Sequence, residues 1–152
     1  MNSHKETIYE CKFRTVTLKV REKRLKYTAN SPKATFEFAK KIYEKLDDDQ
    51  EHFTVLFLNS KNEITGFKTI FSGAQDYAQI DPKIIFRNAL LFGAMSIILI
   101  HNHPSGDVRP SRGDIVETRR LRKAGNFLGI NILDHIIISR DTFYSMAHEH
   151  KL

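Results

Sequence analysis

Met95-Ser96-Ile97-Ile98-Leu99-Ile100-His101-Asn102-His103-Pro104-Ser105-Gly106 is an apolar run that closes on two histidines and a turn. A nearly unbroken apolar stretch of this length predicts a central strand covered on both faces. Residues i and i+2 of a strand point to the same side. His101 and His103 therefore converge on one point where the strand runs out. Pro104-Ser105-Gly106 is a turn signal. Ser111 and Asp114 then open a helix, with Ser as N-cap and an acid in the first turn. A chain folding back there adds a carboxylate to the two imidazoles. That is a natural donor set for Zn²⁺, and a fourth position left to water makes such a site catalytic rather than structural. Each piece has an ordinary reading of its own: a surface His pair, a Pro/Gly turn, a helix cap. The combination has no obvious packing purpose.

Further elements follow outward from this strand. Upstream, Asp81-Pro82 starts a helix that runs to about Leu91. Phe53 to Leu58 reads as a strand, Asn59 to Asn62 as its turn, and Ile64 to Ser72 as the returning strand. Ser31-Pro32 launches another helix, with Phe38, Ala39, Ile42 and Leu46 as its apolar stripe and Asp47-Asp48-Asp49 as its end. Phe13 to Val20 alternates as a strand. Downstream, Ser111 to about Lys123 is helical, with Ile115, Thr118 and Leu121 on one side and Gly125 and Gly129 as stops. Ile130 to Ser139 and Thr142 to Met146 are closing strands, and the tail from His148 reads as frayed. Strands and helices mix without strict βαβ alternation. The fold class is α/β in the broad sense, a mixed β-sheet flanked by helices.

His101-x-His103, Ser111 eight positions after the second histidine, and Asp114 resemble the JAMM (MPN+) metalloprotease signature. The longer string His-Asn-His-Pro-Ser-Gly-x-x-x-Pro-Ser is similar to the RadC branch of that superfamily. The resemblance covers roughly Glu51 to the C-terminus, including Leu133-Asp134-His135-Ile136-Ile137-Ile138 and Phe143-Tyr144-Ser145-Met146. It implies a JAMM fold, also called cytidine-deaminase-like, with residues 31–152 as the JAB (MPN+) domain and 1–30 as an N-terminal extension.

The resemblance also implies a machinery. His101, His103 and Asp114 would hold zinc, with metal-activated water as the nucleophile. Glu51, just ahead of the Phe53 strand, would be the general base, and Ser111 would stabilise the oxyanion. Glu117 is the rival base, one helical turn from Asp114. Ser111 has a competing role as helix cap, and Glu51 reads on its own as an exposed acid at a strand entrance. Pro104 and Gly106 shape the loop. His135, beside Asp134 between apolar strands, reads as a hydrogen-bonded residue behind the ligands rather than as a ligand. The implied function is a zinc-dependent peptidase or isopeptidase whose substrate is a peptide or protein conjugate. The alternatives are a DNA-associated accessory protein of DNA repair and a non-catalytic MPN-type interaction module.

Composition narrows the classes. At 152 residues, 41% apolar and 28% charged, the chain is an ordinary globular length with room for one core. No apolar run approaches the ~20 residues of a membrane helix. Cys11 is the single cysteine, which excludes a disulfide framework and a Cys-rich zinc ribbon. The first six residues lack the apolar core of a signal peptide, so the expectation is a cytoplasmic protein. Net charge is +6, concentrated in Lys19, Arg21, Lys23, Arg24 and Lys26 and in Arg119, Arg120, Arg122 and Lys123. Such surfaces attract nucleic acid, although no accompanying nucleic-acid motif is present. Nothing in the sequence indicates an oligomeric state.

Overall fold

A computed structural model describes residues 27–47, 49–73 and 80–152. The strand expected at Phe13 to Val20 and the first basic cluster lie outside the described residues. The elements are α1 (Pro32–Tyr43), β1 (Glu51–Leu58), β2 (Ile64–Gly73), α2 (Pro82–Leu91), β3 (Ser96–Asn102), α3 (Arg112–Leu128), β4 (Asn131–Ile138) and β5 (Phe143–Ser145). The five strands form one mixed sheet in the order β2-β1-β3-β4-β5. β3 runs antiparallel to β1 and parallel to β4.

The apolar run of residues 96–100 is the middle of this sheet, and both its faces are covered. On one face α1 lays Phe36, Ala39 and Ile42 against Leu56, Ile98, Ile100 and Ile136. On the other, Ile85, Phe86 and Ala89 of α2 and Leu121 of α3 pack on Phe53, Val55, Ile97 and Leu99. Alternation along β1 and β3 sends odd-numbered side chains to the α2/α3 side and even-numbered ones to the α1 side. The α/β class expected from the sequence is the architecture observed.

All three helix starts follow their capping signals. Ser31 caps α1 through Ala34 N–H, Asp81 caps α2 through Lys83 N–H, and Ser111 caps α3 through Asp114 N–H. Helix ends differ from expectation. α1 closes at Tyr43, before the three aspartates. There the Tyr43 hydroxyl lies 3.1 Å from the His52 carbonyl and 3.0 Å from the Ile100 carbonyl, tying the helix to the sheet. α3 passes through Gly125 and stops at Gly129, which adopts φ 71°. Gly125 is a packing glycine rather than a stop: a Cβ there would sit 2.4 Å from the Ile130 carbonyl oxygen. β3 extends two residues beyond Ile100, so His101 lies inside the strand.

The tail is docked rather than frayed. Ser145 Oγ donates to Asp134 Oδ2 at 2.6 Å, and Ala147 N–H donates to Asp134 Oδ1 at 2.9 Å. Lys151 N–H reaches the Met146 carbonyl at 2.8 Å, and Leu152 packs against the core on the α2/α3 side. Among the described residues, no helix is long and apolar enough to cross a membrane.

Candidate metal centre

Glu51, His101, His103 and Asp114 meet at the end of the sheet where β1 begins and β3 finishes. Phe53 pairs with His101 across the antiparallel β1–β3 ladder. One step of two residues outward brings Glu51 opposite His103, on the same side of the sheet. Glu51, His101 and His103 each offer a ligand atom, and these atoms all lie within 4.8 Å of one another. Asp114, in the first turn of α3, approaches from above: Oδ1 lies 3.4 Å from His101 Nε2 and Oδ2 lies 3.4 Å from His103 Nε2. Glu117 is buried on the same helix and pairs Oε2 with Arg120 at 3.2 Å while its Oε1 lacks a partner. Neither it nor Asp114 falls within the Glu51, His101 and His103 group, and Asp114 alone of the two contacts the histidines.

The two histidines turn their Nε2 atoms toward each other at 3.0 Å. His103 Nδ1 sits 2.6 Å from the Asp107 carbonyl oxygen, which can only accept, so its Nδ1 carries a proton. His101 Nδ1 is engaged with His135 Nε2 at 2.7 Å. In a neutral imidazole the nitrogen opposite a donor N–H is a lone pair. A gap of 3.0 Å between these nitrogens, flanked by a carboxylate, suits either a proton on His103 Nε2 or a cation held between them. Two buried carboxylate oxygens, Glu51 Oε1 and Asp114 Oδ1, lack hydrogen-bond partners at this same place. The 3.0–3.4 Å separations among these nitrogens and the Asp114 oxygens match the edge of a tetrahedron with bonds of about 2 Å, which is about 3.3 Å. The donor set fits a small divalent ion.

Burial and charge tune the groups. Burial pushes the Glu51 carboxyl up to about 7, with His103 pulling it down and Asp114 pushing it further up. At 4% exposure it is not the solvated acid its neighbours Asp47 and Asp49 suggest. Burial lowers His101 and, more strongly, His135, disfavouring a charge on either ring. Hydrogen bonding to Asp114 raises His103 despite burial. Burial also pushes Asp114 up, but its contacts with His101 and His103 outweigh that and hold it well below the usual carboxylate range.

Local chemistry holds each piece. Asp114 Oδ2 accepts Ser111 N–H at 2.6 Å while Ser111 Oγ accepts Asp114 N–H at 3.1 Å, a capping box that fixes the carboxylate. Ser111 is thus a helix cap, and its hydroxyl proton is left to donate elsewhere. Asp107 grips Arg109 Nη2 at 2.6 Å, setting the turn whose carbonyl holds His103. Phe53 stacks on His101 at 6.2 Å. Asn102, between the two histidines, had no role in the sequence reading. Its Oδ1 accepts His52 N–H at 2.8 Å and its Nδ2 donates to the Gln50 carbonyl at 2.9 Å, bracketing Glu51. His52 points to the opposite face, engaging Ser72 Oγ and the Asp47 carbonyl. A cavity of about 530 Å³ opens on that α1 side, lined by Lys40, Tyr43, His52, Asn102 and Arg140, and reaches the site at His103.

A mixed sheet with helices on both faces and a His/His/carboxylate cluster at a strand end is a JAB-type architecture. The chain belongs to the RadC-like JAB domain family, which matches residues 29–152. A UPF0758 protein of Staphylococcus epidermidis is 49% identical over 101 residues, covering 66% of this chain and 45% of that protein. A UPF0758 protein of Desulforamulus reducens is 47% identical over 106 residues, covering 69% of this chain and 47% of that one. The chain spans about half the length of the curated relatives it matches.

Proposed function

We propose that this domain is a zinc-dependent hydrolase of peptide or isopeptide bonds. The pair of Nε2 atoms 3.0 Å apart, each opposite an engaged Nδ1, carries the reading. His101, His103 and Asp114 hold the ion, and imidazole plus carboxylate suits zinc. Bound zinc supplies the Lewis acidity that makes water nucleophilic near neutral pH. Glu51, whose carboxyl is pushed up to about 7, takes the proton released by the attacking water. It then returns that proton to the leaving amine. The Ser111 hydroxyl donates to the oxygen on which charge develops. The cavity beside His103 gives one side of a substrate room next to the reacting bond.

The test pairs metal content with hydrolysis. Wild-type protein is expected to hold one zinc per chain, and the His101→Ala/His103→Ala variant none. Glu51→Gln is expected to keep zinc and lose peptide and isopeptide hydrolysis. No stoichiometric metal in wild type removes the hydrolase reading and leaves an interaction module. A second reading, nucleic-acid binding, is favoured by the exposure of Arg119, Arg120, Arg122 and Lys123 on α3. Its check is salt-dependent retention on duplex DNA, abolished by neutralising those four.

A further inference from the structure

Behind His101 lies a chain of hydrogen bonds whose direction can be deduced atom by atom. Thr118 Oγ1 carries one proton. It lies 2.6 Å from the Asp114 carbonyl oxygen, which has no proton to give, and 3.7 Å from Met146 Sδ, a weak acceptor, so the hydroxyl donates to the carbonyl. The same oxygen lies 2.5 Å from His135 Nδ1. With its proton committed it can only accept, so His135 carries its proton on Nδ1. His135 Nε2 is then a lone pair. His101 Nδ1, 2.7 Å away, must be the donor. The remaining His101 nitrogen, Nε2, is unprotonated and faces His103 and Asp114.

The opposite polarity is complete along the rings but fails at its end. Were Thr118 to donate to His135 Nδ1, His135 would donate from Nε2 and His101 would carry its proton on Nε2, where it would block an ion. That arrangement leaves two oxygens 2.6 Å apart with no proton between them. Thr118, His135 and His101 are all buried, at 0%, 2% and 0% exposure, so bulk water does not reach in to reverse the order.

We propose that Thr118 and His135 form a tautomer lock on His101. The α3 backbone, through one hydroxyl and one relaying imidazole, dictates which ring nitrogen His101 presents to a metal. Both are positioning residues, acting through His101. The inference rests on His101 being a metal ligand. It also joins two parts of the site, because the helix turn that supplies the Asp114 carboxylate supplies the carbonyl that anchors the lock.

The experiment uses ¹⁵N-histidine-labelled, metal-free protein, in which long-range proton–nitrogen spectra identify the protonated nitrogen of each ring. Wild type is expected to show Nδ1–H at both His101 and His135. Thr118→Val removes the hydroxyl at nearly constant shape. It is expected to populate the Nε2–H form of His101 and to weaken zinc binding, measured by chelator competition, about 10–100-fold. Thr118→Ser keeps the hydroxyl and is expected to restore both, which a loss of packing alone would not produce. Thermal melts confirm that the compared variants are folded. Nε2–H at His101 in wild type overturns the lock. So does Thr118→Val that retains both its tautomer and its zinc affinity within about twofold, well short of the change expected. Wild type with the expected tautomers but no zinc uptake supports the lock's polarity and sinks the hydrolase reading, so the two failures are told apart.

Discussion

Ser111 and Asp114 hold each other twice, the hydroxyl of one on the amide of the other and the carboxylate of the second on the amide of the first. The start of α3 and the aim of a candidate metal ligand are therefore one structural fact. Ser111→Ala is expected to cost about 1 kcal/mol in denaturant unfolding, the usual worth of a cap. It is also expected to slow hydrolysis about 100-fold with zinc content unchanged, as for a lost oxyanion donor. Reduced stability at full rate would leave Ser111 a cap alone.

Zinc binding is expected to weaken as pH falls. Hydrogen bonding to Asp114 raises His103 above its ordinary 6.5. A proton on its Nε2 occupies the place an ion would take, so proton and metal compete. Competition titrations from about pH 8 to about pH 6 should show falling affinity, with proton release on binding. Flat affinity across that range would contradict the assignment of His103 Nε2 as a ligand.

Glu51 is expected to destabilise the metal-free protein at neutral and alkaline pH. Its carboxyl ionises near 4.5 when unfolded and near 7 when folded. The unfolded chain loses its proton first, so this group's contribution is neutral at low pH and turns against folding as pH rises through that window. The gap corresponds to about 3 kcal/mol at most. Glu51→Gln should therefore melt higher than wild type at about pH 8 and level with it at about pH 4. Equal melting at both would show that the buried carboxylate is compensated.

Gly125→Ala is expected to destabilise, although alanine ordinarily favours a helix by about 1 kcal/mol. The new Cβ would lie 2.4 Å from the Ile130 carbonyl oxygen and 3.3 Å from the Phe86 ring. A cost of about 1–3 kcal/mol, read from chemical denaturation, is the mark of overpacking. A gain would mean that the α3–β4 connection yields without strain.

Asp134→Ala should cost about 3 kcal/mol, because it strips acceptors from buried or half-buried donors. Those donors are Ser145 Oγ, Ala147 N–H and His135 N–H. Faster amide exchange confined to residues 145–152 would accompany it; unchanged exchange there would refute Asp134 as the anchor of the tail.

Local signals made much of this fold legible. The run from Met95 to Ile100 marked the central strand, and the three capping residues Ser31, Asp81 and Ser111 marked the helix starts because a cap bonds its own next turn. The paired histidines and Asp114 were legible for the same reason: two residues share a strand and one opens the next helix. What stayed hidden depends on distant contacts. Gly125 looks like a helix stop, yet Ile130 and Phe86 explain it. Glu51 sits in an acidic, polar stretch; its burial follows from pairing with distant strands and from Asn102, which clasps the backbone on either side of it. Thr118 looks like one more residue on a buried stripe; its hydroxyl acquires meaning only when His135 arrives from β4.

The pairing of Phe53 with His101 has a consequence for how the domain must fold. The candidate ligands His101, His103 and Asp114 lie within one stretch of the chain, but the candidate base Glu51 comes from a strand about fifty residues away, so no local fragment contains the complete site. A slip of one residue between β1 and β3 would turn one strand's alternate side chains to the other face. Glu51 would then leave the histidines for the α1 side. Chemical competence is thus withheld until the strands are correctly aligned. Recovery of hydrolysis by a refolding chain, rather than of metal uptake, is therefore expected to report that alignment.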